Sequence, residues 1–121
     1  AEDRQGAVRE NSLQFETIRK FYVLVDTYFK EKKQVQEYAD MLNKSPKTLA
    51  NILSAYQQPS AIRIIHNRIQ AEARRLLLYT AKSSKEIALM LGFEDQAAFS
   101  RFFKKMNKES LSEYRKREKR E

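Results

Sequence analysis

The 121-residue sequence has no cysteine and no tryptophan, one histidine, two glycines and two prolines. Without cysteine there is no disulfide framework and no thiolate metal site. His66 has no second histidine and no cysteine to complete a coordination set, so no metal and no cofactor are expected. Gly6 and Gly92 lie far apart, which excludes a glycine-rich loop cradling a nucleotide. The longest apolar run, Phe21-Tyr22-Val23-Leu24-Val25, is too short to span a bilayer, and no signal peptide is recognisable. So little glycine and proline argues against a turn-rich β protein and for long helices, an all-α chain. No Ser/His/Asp set or paired carboxylates stand out, so no catalytic residue and no enzyme are expected.

The length suits one domain or two very small ones. The formal net charge is +8, from 24 Lys/Arg against 16 Asp/Glu. Residues 1–30 hold five acids and five bases, so the whole excess lies in residues 31–121. A basic, cysteine-free chain is expected in the cytoplasm with an acidic partner. Nucleic acid is the commonest such partner, an anionic membrane surface the next.

Residues 1–12 are polar and read as a tail or interdomain linker. With no initial methionine, the sequence reads as a fragment of something longer. From Leu13 the pattern becomes helical: Phe15, Ile18, Tyr22, Val25 and Phe29 fall on one face, widened by Phe21, Leu24 and Tyr28. A short helix follows with Val35, Tyr38, Ala39 and Leu42. Asn43-Lys44 breaks it, and Ser45-Pro46 is a favoured helix start. The next helix buries Leu49, Ile52, Leu53 and Tyr56, and Pro59 bars its continuation. A helix from about Ser60 to Tyr79 carries the stripe Ile62, Ile65, Ile69, Ala73 and Leu76, with Leu77 beside it. Ser83 and Glu86 form a capping box for a helix burying Ile87, Ala88 and Leu91. Asp95 caps a helix burying Phe99, Phe102, Phe103 and Met106. Ser110 and Glu113 form a second box for a last helix with Leu111 and Tyr114.

Two of these stretches share one template. Tyr38-Ala39, Leu42, Asn43, Ser45, Leu49, Ile52 and Leu53 are matched by Ile87-Ala88, Leu91, Gly92, Asp95, Phe99, Phe102 and Phe103. Each has a small residue where two helices cross, a residue tolerating a left-handed backbone, then a cap. This is the helix-turn-helix arrangement, twice. The predicted organisation is a first subdomain over 13–58, a linking helix over 59–81, a second subdomain over 82–117 and a charged tail over 118–121. A linking helix of about 20 residues is about 30 Å long at about 1.5 Å per residue. One turn of B-DNA is about 34 Å, so such a rod suits two recognition helices in successive major grooves.

The second helix of each pair keeps one polar face. On the first, Lys47, Ala50 and Asn51 lie outside with Thr48 and Ser54. On the second, Gln96, Ala97, Ser100, Arg101, Lys104 and Lys105 do. Asn and Gln suit adenine, Lys and Arg suit guanine, and Ala suits the thymine methyl. The base readers expected from these faces are therefore Lys47, Asn51, Gln96, Ala97 and Arg101, with a phosphate contact as the alternative for Arg101. Lys82, Lys85, Lys104, Lys105 and Arg115, with Lys32, Lys33 and Lys116, are phosphate contacts or plain solubilising charge. Two other functions fit the same residues: a non-specific nucleic-acid-binding protein, and a helical protein-interaction module without nucleic acid.

The stretch AKSSKEIALMLGFEDQAAFSRFFKKMNKESLSEYR, residues 81–115, resembles the C-terminal signature of the AraC/XylS transcriptional regulators. The similarity extends upstream through Val35–Asn51 and the segment IHNRIQAEARRLLL. The resemblance implies a seven-helix, homeodomain-like domain with two helix-turn-helix units on promoter double-stranded DNA. It also implies that residues matching Lys47, Ala50, Asn51, Gln96, Ala97 and Arg101 approach bases. Family members usually activate transcription through RNA polymerase. Many carry a separate N-terminal region for effector binding or dimerisation. This chain departs from the family at Gln58 and Lys108, where glycine is frequent nearby, and at Leu111, where proline is. Loop shape at those turns is the point these departures touch. The short, apolar Ala50 leaves the first unit thin in polar readers, which places more of the specificity on the second.

Overall fold

A computed structural model describes residues 2–118 of the chain. Among these residues there are seven helices and no strand: α1 (Glu2–Tyr28), α2 (Val35–Met41), α3 (Pro46–Ala55), α4 (Ala61–Tyr79), α5 (Ser84–Met90), α6 (Gln96–Asn107) and α7 (Leu111–Glu118). The expected all-α, two-motif plan is present. The chain divides into two compact units, residues 1–66 and 67–121. The division falls inside α4. Its first turns belong to one unit and its later turns to the other.

In the first unit, α1 begins at Glu2 rather than at Leu13. The segment read as a tail is helical because Glu, Arg, Gln and Ala favour the helix and outweigh the single Gly6. It is also tied down further along, where the Tyr56 hydroxyl donates to Asn11 Oδ1 at 2.9 Å. The buried face of α1 is Ile18, Phe21 and Val25, continued by Phe29 just past its end. Phe15 and Tyr22, expected in that stripe, are exposed at 57% and 37%. Phe15 instead packs its ring on Tyr56, centroids 4.4 Å apart, and the Tyr22 hydroxyl donates to Gln58 Oε1 at 2.6 Å. Ile18, Val25 and Phe29 of the expected stripe are buried, and Phe21 from its flank, not Phe15 or Tyr22, completes the inner face. Tyr38 sits at the centre, fully buried, edge-on to Phe21. Tyr56, expected inside, is only half-buried.

Along α4 the buried residues are Ala61, Ile64, Ile65, Ile69, Ala73, Leu76 and Leu77. Ile62, expected in that stripe, is 40% exposed, and Ile64 takes its place.

In the second unit the core is aromatic. Phe99 and Phe103 are fully buried. Phe93 stacks on Phe99 and Phe102, and Tyr114 meets Phe103 edge-on. Phe102 and Met106, expected to be buried, are half-buried. Gln70 is the one buried side chain of polar type among the described residues. Its amide meets the Asn107 side chain of α6. Arg74 Nη2 donates to Asn107 Oδ1 at 3.0 Å, and Asn107 Nδ2 donates to the Phe103 carbonyl at 3.0 Å. This polar clasp fixes the C-terminal end of α6 against α4.

Of the stretch expected as a charged tail, Glu118 is helical. Just before it, Arg117 pairs with Glu109 at 2.7 Å and lies over the Tyr114 ring. Lys119, Arg120 and Glu121 lie outside the described residues.

Candidate nucleic-acid interface

Both predicted turns form by the same local chemistry. After α2, Asn43 takes the left-handed conformation, φ 56°, and the Lys44 N–H donates back to the Ala39 carbonyl at 3.0 Å. After α5, Gly92 does so at φ 80°, and the Phe93 N–H donates to the Ala88 carbonyl at 2.9 Å. A single left-handed residue closing this wider hydrogen-bonded loop is how a helix stops abruptly without stranding its last carbonyls. Ala39 and Ala88 are both buried, as a close helix crossing requires.

The following helices are capped as expected. Ser45 Oγ accepts from the Thr48 N–H at 3.0 Å, and Asp95 Oδ1 accepts from the Ala98 N–H at 2.8 Å. Both expected capping boxes are present. Glu86 accepts from the Ser83 N–H, and Glu113 from the Ser110 N–H, each at 3.0 Å. Those backbone donors, then the serine hydroxyls, hold both carboxyls below their ordinary pKa.

The caps aim α3 and α6 so that one face of each is buried and the other faces solvent. On α3, Leu49, Ile52 and Leu53 point inward. Lys47, Ala50 and Asn51 are exposed. On α6, Phe99 and Phe103 point inward, and Gln96, Ala97 and Arg101 are exposed. Lys47, Asn51, Gln96 and Arg101 make no hydrogen bond or ion pair among the described residues. Their donors and acceptors are free for a ligand.

The expected phosphate contacts divide. Lys85, Lys104 and Lys105 are exposed, and Lys82 is half-buried. Arg115 is different. Its Nε donates to the Leu77 carbonyl at 3.0 Å and its Nη2 to the Thr80 carbonyl at 3.3 Å. These carbonyls are at the end of α4, where the helix leaves acceptors without internal partners. Arg115 is thus first a cap on α4. Lys33 likewise caps α1, donating to the Lys30 carbonyl at 2.8 Å. Burial holds the Lys33 ammonium below its ordinary pKa. Neither role was visible from spacing, because both depend on carbonyls brought near by folding.

The turns flagged by the missing glycines also have an outcome. Gln57 and Lys108 occupy the left-handed region at φ 58° and 63°. The backbone keeps the shape that favours glycine, although neither residue is one. No helix among the described residues is long and apolar enough to cross a membrane.

Two capped helices, each presenting a polar face from a helix-turn-helix, define a DNA-binding domain of the transcription-regulator class. A family model described as a helix-turn-helix domain matches residues 38–117. The chain belongs to this family, the AraC type. No curated protein sequence matches it. Among solved structures it is similar to the C-terminal domain of AraT, a response regulator from Geobacillus stearothermophilus. That match has 28% identity and a TM-score of 0.76, covering 83% of this chain and 84% of that one. It is similar in fold to the C-terminal domain of the two-component response regulator yesN from Fusobacterium nucleatum, with 21% identity, a TM-score of 0.75 and coverage of 83% and 98%. The xylose-binding transcription activator xylR shares the fold at 22% identity and a TM-score of 0.68. There 84% of this chain covers 27% of the other.

Proposed function

We propose that this domain binds one promoter sequence and activates transcription. Lys47, Ala50 and Asn51 on α3, and Gln96, Ala97 and Arg101 on α6, read bases in two adjacent major grooves. The observation that carries this reading is the exposure of all six side chains on helices whose opposite faces are buried. Lys85, Lys104 and Lys105, with Lys82, hold phosphates and set the salt dependence. Arg115 keeps α4 capped and drops out of the primary phosphate set.

The domain acts by binding and carries no catalytic activity. Its site of action is the cytoplasm, where promoter DNA is, and RNA polymerase is the second partner. The description of xylR as an activator supports activation, and its much longer chain supports a role for a further region in effector binding or dimerisation.

Selection from a random duplex library, followed by footprinting, tests the reading. Protection should cover two adjacent major grooves on one face of the duplex. Arg101→Ala should weaken the selected site by about 1–3 kcal/mol while sparing random DNA. Equal loss on both would make Arg101 a phosphate clamp, and absence of any preferred site would overturn sequence-specific binding.

A further inference from the structure

A cleft of about 380 Å³ runs between α1 and the helix-turn-helix of the first unit. Its α3 wall carries Thr48 and Asn51, and its lip carries Lys44 from the turn. Its α1 wall carries Gln14 and Glu10. From this geometry we infer a binding site for the DNA backbone: the cleft takes a phosphodiester of the strand flanking the groove that α3 reads. The inference rests on the proposed placement of α3 at bases.

Three observations carry it. First, Asn51 belongs to both surfaces, a proposed base reader and a lining residue of the cleft. A strand whose base edge meets Asn51 must run its own sugar-phosphate backbone along one side of α3, and the cleft is the opening on that helix's α1 side. Second, the donors suit a phosphate. Lys44 is exposed, and its ammonium has no partner among the described residues. The Thr48 oxygen accepts from the Ser45 hydroxyl at 3.0 Å, which leaves its own O–H to donate outward. The Gln14 amide faces the same space, and Leu13 with Ile52 gives the apolar surface that a deoxyribose covers. Third, the α1 wall is held in place. The Tyr56–Asn11 hydrogen bond and the Phe15–Tyr56 ring contact fix these turns of α1 on α3. The site therefore exists before DNA arrives.

Glu10 gives the inference a sign that an ordinary basic patch lacks. A carboxylate beside the phosphate path opposes binding, so its removal strengthens the complex. Fluorescence anisotropy with a selected duplex and a random duplex, across a salt series, provides the test. Lys44→Gln should weaken both duplexes by a similar factor and lower the slope of log affinity against log salt by about 0.9. Thr48→Ala and Gln14→Ala should weaken both duplexes without changing that slope. Glu10→Gln should tighten both. The exposed positions of Lys44 and Glu10 leave the fold intact, which circular dichroism checks. If Lys44→Gln and Glu10→Gln both leave affinity and salt slope unchanged, while Arg101→Ala and Asn51→Ala still weaken the selected site, the cleft does not face DNA. If Arg101→Ala and Asn51→Ala also have no effect, the placement of α3 and α6 at bases fails instead.

Discussion

Tyr38 lies fully buried at the centre of the first unit, and its hydroxyl donates to the Lys32 carbonyl at 2.6 Å. Burial is the main reason the phenol is pushed up from 10.0 to about 12, with the nearby carboxylates Glu37 and Glu31 adding to it. The folded protein thus resists ionisation that the unfolded chain accepts. Below pH 10 the phenol is neutral in both states and its contribution to stability is whole. Between pH 10 and about 12 the unfolded chain loses its proton first, and the contribution disappears as pH rises through the folded value. At 1.36 kcal/mol per unit, a rise of two units corresponds to a loss of about 3 kcal/mol. Tyr38→Phe keeps the ring against Phe21 but removes the donor to Lys32, at a cost of about 1 kcal/mol. Urea denaturation of both proteins, followed by helical circular dichroism from about pH 9 to 12, compares the two effects. The variant should be the weaker near pH 9 by about 1 kcal/mol. The curves should cross near pH 11, with the variant more stable above it. Titration of other groups is common to both proteins and cancels in the difference. Parallel curves would show that the Tyr38 hydroxyl is not held neutral by burial, and the account of this core would be wrong.

Lys108→Gly should raise the melting midpoint, because a left-handed backbone costs a side-chain-bearing residue about 1 kcal/mol. An unchanged or lowered midpoint would mean that the greater freedom of glycine in the unfolded chain outweighs this relief. Asn107→Ala should cost about 1–3 kcal/mol, since it strands the buried Gln70 amide. Gln70→Leu added to that variant should recover part of the loss in thermal denaturation, whereas simple addition of two losses would deny the clasp.

Much of the fold was legible because its signals are local. Ser45, Asp95, Ser83 and Ser110 cap helices through their own neighbouring N–H groups, and no distant residue is needed. Asn43 and Gly92 end helices because they tolerate a left-handed backbone. The outward placement of Lys47, Asn51, Gln96 and Arg101 follows from helical periodicity once the inner residues are named. The onset of α1 is not legible, because residues 2–12 have helix-forming composition but no apolar stripe to announce it.

Sequence by itself thus determined the seven helices, their stops and starts other than the onset of α1, and the duplicated bend, all properties of side chains within a few residues of each other. Tertiary structure alone decided that Phe21, rather than Phe15 or Tyr22, completes the buried face of α1. It also decided that Arg115 caps α4, that Gln70 and Asn107 form a clasp, and that a cleft opens beside Asn51. Each of these joins groups far apart in the chain. Packing, not periodicity, selects among the faces and carbonyls that a helix offers equally.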